Sequence, residues 1–169
     1  MTVLSFIVLA AGLAVAVVID LRSRRIPNWL TGSMMVAGFA VAVSGLGGVT
    51  PGQAALGILA GLLLMLPGHI IGATGAGDVK LMAAIGGFVG PWLALNAFLG
   101  TAVAGGVFAV AVAARRGRLI ATIEGTGQLV TAPSAAKMEI EAPARANRFA
   151  YAPAIAVGSL VAVLLTAKW

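Results

Sequence analysis

Cysteine is absent from the 169 residues. That excludes disulfides, thiolate zinc sites, iron–sulfur clusters and a cysteine nucleophile. Charge is also scarce: 9% of residues carry it, against about 25% in a soluble domain. So little charge cannot wet a globular surface, which excludes a soluble globular fold. Disorder is excluded by the same shortage, because disordered chains are polar and charged. Acids are scarcer still, five against eleven Lys and Arg.

Apolar residues make up 60% of the chain, and 23 glycines accompany them. The class is integral membrane protein, with the lipid bilayer as its first partner. A net charge of +6 would suggest nucleic acid in a soluble protein. In a membrane protein it reflects basic cytoplasmic loops, so no nucleic-acid partner is expected.

A membrane span needs about 20 apolar residues. The first runs over residues 3–19 and ends at Asp20. The second runs over about 29–46, and turn formers at 47–52 separate it from a third over about 53–71. Residues 81–114 carry no charge, yet as one helix they would be about 51 Å long, too much for one crossing. Gly90-Pro91 is the expected break, giving a short fourth helix over about 79–90 and a fifth over about 92–114. The sixth covers about 149–167. The expected fold is therefore all-α, a polytopic bundle of about six transmembrane helices. It forms one membrane-embedded domain over residues 1–169, with a polar loop at about 115–148.

Six spans place ten of the eleven basic residues on one side of the membrane; Lys168 alone falls on the other. The basic side should be cytoplasmic, with both termini outside. Residues 1–5 contain no Lys or Arg, so the first span is expected to stay in place rather than be cleaved as a signal.

Of the five carboxylates, Glu124, Glu139 and Glu141 lie in the basic loop, where solvation suffices to explain them. Asp20 and Asp78 differ, because each lies at the cytoplasmic end of an apolar segment, where an acid is costly. In the six-span arrangement both reach one membrane level. Two uses are open. Asp20 could pair with Arg22, Arg24 or Arg25 while Asp78 caps the fourth helix. Alternatively the two form an aspartyl protease dyad sharing one proton. The ionised member would take a proton from water, and the other would donate to the carbonyl under attack. Gly75 and Gly77 precede Asp78; glycine permits positive φ and lets another backbone come close, as an extended substrate strand requires. Arg25-Ile26-Pro27-Asn28 reads as a turn into the second span, with Pro at a helix start.

Three stretches carry a family resemblance: Asp20-Leu-Arg-Ser-Arg-Arg-Ile-Pro-Asn28, Gly75-Ala-Gly-Asp-Val-Lys-Leu-Met-Ala-Ala-Ile-Gly86 and Phe149-Ala-Tyr-Ala-Pro-Ala-Ile-Ala-Val-Gly158. In order and position the chain resembles the prepilin peptidases, the type IV leader peptidases among the GxGD aspartyl intramembrane proteases. The resemblance implies a bacterial inner-membrane endopeptidase that cleaves the short basic leader of type IV pilins and pseudopilins at the cytoplasmic face. It implies Asp20 and Asp78 as the catalytic acids. Gly75, Gly77, Lys80, Pro27 and Asn28 would be the residues around the substrate. No metal or organic cofactor is implied. Many relatives also methylate the product through a cytoplasmic segment, often with a Cys-rich zinc site. With neither that segment nor Cys, the chain resembles the peptidase-only branch found with tight-adherence (Flp) pili. The third stretch departs at Phe149-Ala150, where many relatives carry Pro-Phe, and no role is assigned to Tyr151 or Pro153.

Other polar and small residues carry weaker signals. His69 reads as a boundary or packing residue. Gly57-x3-Gly61 is a close-packing pattern, either within the bundle or at a homo-oligomer seam. Met34, Met35 and Met65 read as packing, and Trp29, Trp92 and Trp169 as interfacial belt residues. Two rival functions remain: a small ion- or proton-coupled transporter using the two acids, and a non-catalytic subunit of a secretion apparatus.

Overall fold

The computed structural model describes residues 1–115 and 151–166. The expected polar loop, its three glutamates, Phe149, Lys168 and Trp169 lie outside the described residues. Every described element is helical: α1 (Val3–Ser23), α2 (Asn28–Val43), α3 (Pro51–Ile70), α4 (Ala76–Arg115) and α5 (Ala152–Thr166). Three helical segments are long and apolar enough to cross a bilayer, Val3–Ser23, Pro51–Ile70 and Ala76–Ala111; α2 and α5 are shorter but apolar. Large apolar side chains such as Ile7, Val36, Leu59, Val103 and Leu165 are exposed around the bundle. In lipid that is the expected outer surface.

Local sequence explains the boundaries. Thr50 caps α3 with a capping box: its hydroxyl accepts from Gln53 N–H, and the Gln53 side chain accepts from Thr50 N–H. Pro51 follows at the first helical position. α1 does not stop at Asp20, as expected, but runs a further turn. Its stop is Arg24, left-handed at φ 52, whose N–H bonds Asp20 C=O at 2.7 Å. A charged side chain does not end a helix; a change of backbone conformation does.

α4 bends at Gly90, where φ is 77 and ψ 175. This is a conformation essentially reserved for glycine, and the following Pro91 cannot donate to the helical ladder. The expected break therefore falls where the sequence placed it. The first arm is residues 76–89 and the second 91–115. Every residue from 81 to 90 is buried, so the first arm is the centre of the bundle. Its principal neighbour is α3, with α5 and α2 also against α4.

Small residues set that packing. The Gly57 and Gly86 backbones touch, so a Cβ on either would overlap the other's carbonyl, and Gly61 meets the Met82 backbone in the same way. Gly57-x3-Gly61 thus packs within the bundle rather than at a seam between copies. Gly100 and Gly158 join the second arm to α5 equally closely. Met34 and Met65 are buried as expected, Met34 filling the space beside Gly12. Trp29 and Trp92 are mostly exposed, at the foot of α2 and just past the α4 bend.

Candidate active site

Asp20 lies in the last turns of α1 and is 5% exposed. Its Oδ2 accepts a hydrogen bond from the Ala152 backbone N–H at 3.0 Å. The first N–H groups of a helix have no partner inside it, and their partial positive charge suits a carboxylate. Asp20 therefore caps α5 from a different helix. Arg22, Arg24 and Arg25, its expected ion-pair partners, are exposed.

Asp78 stands in the first turn of α4. Helix α4 starts earlier than expected, so Asp78 is the third helical residue rather than the cap. The Gly75 carbonyl accepts from the N–H groups of Asp78 and Val79 at 3.1 and 3.3 Å. In return Asp78 Oδ2 accepts from Gly75 N–H at 2.9 Å. This is half of a capping box, and it fixes the carboxyl against its own helix end.

The two glycines before Asp78 serve close approach, not left-handed backbone. Positive φ belongs instead to Gly72, at 81°. A Cβ at Gly75 would lie 3.1 Å from Asp78 Oδ2, crowding the acid. A Cβ at Gly77 would lie 3.0 Å from the Ile26 Cβ. The space beside Gly77 is therefore filled by the turn between α1 and α2, not held open for another strand. Pro27 anchors that turn, its carbonyl accepting from Leu30 and Thr31 N–H. Lys80 Nζ donates to Asn28 Oδ1 at 2.8 Å, tying the foot of α4 to the foot of α2. Gly77, Lys80, Pro27 and Asn28 thus come together as a brace between the segments that carry Asp20 and Asp78, while Gly75 holds Asp78 itself.

Tyr151 was missed. It precedes α5 and lies outside that helix, with its carbonyl accepting from Ile155 N–H at 3.1 Å. Its phenol rests against Gly105 in the second arm of α4, where no side chain would fit. Burial raises the phenol above its ordinary value of 10.0, and the Asp78 carboxylate raises it further. The phenol therefore stays protonated across the neutral range. Residues 151 and 152 thus bear on both acids: the Asp78 charge acts on the Tyr151 phenol, and the next N–H holds Asp20. One signal was available, since Tyr151 is the chain's single tyrosine at the start of its last apolar segment. The Ala152 N–H has no side chain to announce it.

Chemically, this end of the bundle offers two carboxyl groups, each oriented by a backbone N–H, and a neutral phenol. Comparison with known families adds one match. The type IV leader peptidase family matches residues 7–110, a range that includes both aspartates. No curated protein matches the chain. No solved structure matches it either.

Proposed function

The chain belongs to the type IV leader peptidase family, and on that premise we propose that it is a membrane aspartyl endopeptidase acting on prepilins or pseudopilins of the Flp type. It removes their short basic leader at the cytoplasmic face of the bacterial inner membrane. Six spans, with α4 contributing two, put the basic loops in the cytoplasm and both termini outside. The substrate's apolar helix docks among the spans and presents its scissile bond at the edge.

The observation that supports this reading is that the Asp20 and Asp78 segments lie at one end of the bundle, tied by Lys80–Asn28 and Gly77–Ile26, with each carboxyl held by a backbone N–H. Acids at one end of a bundle suit chemistry at a membrane surface; a coupled transporter would hold them nearer the midplane. Asp20 and Asp78 share one proton. The ionised member removes a proton from water as the water attacks the peptide carbonyl. The protonated member gives its proton to the carbonyl oxygen, and collapse of the tetrahedral intermediate breaks the C–N bond. Water reaches them because the first arm of α4 rises about 21 Å and α5 about 22 Å, short of the roughly 30 Å hydrocarbon core. Such short helices thin the bilayer locally.

The test is co-expression with a prepilin, comparing wild type, Asp20→Asn and Asp78→Asn. Each single change should abolish leader removal while the protein still inserts. Processing that survives either change defeats the dyad. Wild type that never processes any prepilin favours a non-catalytic subunit.

A further inference from the structure

His69 is the chain's only histidine, near the end of α3. Its Nδ1 lies 3.0 Å from the Thr74 carbonyl oxygen. A carbonyl can only accept, so Nδ1 carries the proton. The Thr74 carbonyl and the Gly75 N–H belong to one peptide group. That N–H donates to Asp78 Oδ2 at 2.9 Å. The line of contacts therefore runs from the imidazole N–H to the Thr74 carbonyl, through one planar peptide, and from the Gly75 N–H to the carboxylate. Drawing electron density toward the carbonyl end makes the N–H end a better donor, and hydrogen bonds in series strengthen one another.

The rest of the loop leaves this job to His69. The Gly68 carbonyl accepts from Ala73 and Thr74 N–H at 2.8 and 3.1 Å, and Gly72 turns the chain with φ 81. These contacts shape the loop up to Thr74 but do not reach its carbonyl. The buried Thr74 hydroxyl has no hydrogen-bond partner among the described residues, so it does not anchor the peptide.

We infer that His69 is a positioning residue, orienting and polarising the Thr74–Gly75 peptide so that its N–H holds the Asp78 carboxyl in the reactive rotamer. The inference rests on the protease reading for its effect on turnover, and on geometry alone for its effect on the peptide. His69→Leu keeps bulk without a donor; His69→Asn restores a donor near the Nδ1 position. With a purified prepilin in micelles, His69→Leu should lower kcat about 3- to 10-fold, the value of one ordinary hydrogen bond. KM should be unchanged, and His69→Asn should recover most of the loss. The Gly75 amide proton resonance should move upfield in His69→Leu and return in His69→Asn. Wild-type kcat in His69→Leu, or equal loss in both variants, overturns the role in turnover. If the wild type cleaves nothing, the protease reading falls by itself and the amide decides: movement in His69→Leu supports the relay, and an unmoved resonance overturns it.

Discussion

The Asp20 carboxylate and the Ala152 backbone N–H, 132 residues apart in sequence, meet at 3.0 Å in the buried interior. An acid on the first helix thereby fixes where the last helix begins. The same contact fixes the residue next to Tyr151, whose phenol feels the Asp78 charge, so a structural cap and the proposed reaction centre share one hydrogen bond.

That sharing separates two substitutions at Asp20. Alanine leaves the buried Ala152 N–H without an acceptor, at about 1–3 kcal/mol. Asparagine keeps a side-chain oxygen for it. Thermal unfolding in micelles, followed by circular dichroism, should show Asp20→Ala well below Asp20→Asn. Equal midpoints would mean that the contact does not hold α5.

Glycine substitutions should differ in sign according to what surrounds them. A Cβ at Gly57 runs into the Gly86 backbone, while Gly32 in α2 has no atom within 4 Å. Gly57→Ala should destabilise by at least the ~1–3 kcal/mol of overpacking. Gly32→Ala should stabilise by up to ~1 kcal/mol through helix propensity. Chemical denaturation of both variants checks the pair.

Gly90 isolates a purely conformational cost. The nearest atom to a Cβ there is 3.6 Å away, an ordinary contact, but φ 77 with ψ 175 is a region other residues avoid. Gly90→Ala should cost about 1–3 kcal/mol with no clash to relieve. A neutral result in the same denaturation assay would place the bend elsewhere.

The single tyrosine makes the site spectroscopically addressable. Tyrosinate absorbance should titrate above 10.0, since burial is the larger cause of the shift and the Asp78 charge the smaller. Asp78→Asn removes a negative charge that opposes phenolate formation. The midpoint should therefore fall while staying above 10.0. A midpoint unmoved by that change would separate Tyr151 from Asp78.

Much of this arrangement was legible in the sequence wherever a side chain or a backbone restriction carried the message. Gly90-Pro91 marked the bend because each residue restricts the main chain in its own way. Asp20 and Asp78 stood out as acids against an apolar background. What stayed hidden depends on partners without signatures. The cap on α5 is a main-chain N–H. Gly77 owes its identity to Ile26 from another turn, and Gly57 owes its own to Gly86. Periodicity places a residue on a face but cannot say which neighbour's backbone will touch it. His69 reads from sequence as a boundary or packing residue, because the peptide beside it is defined by a loop closure that no residue type predicts.

Burial of the whole stretch from residue 81 to 90 has a bearing on biogenesis. In the finished protein this segment meets only its own chain, so hydrocarbon is never its solvent. Helix α3 precedes it in order of synthesis, and the glycine face at 57 and 61 is ready when the arm emerges. The arm therefore finds one wall of its site already made, and α5, synthesised later, closes the other.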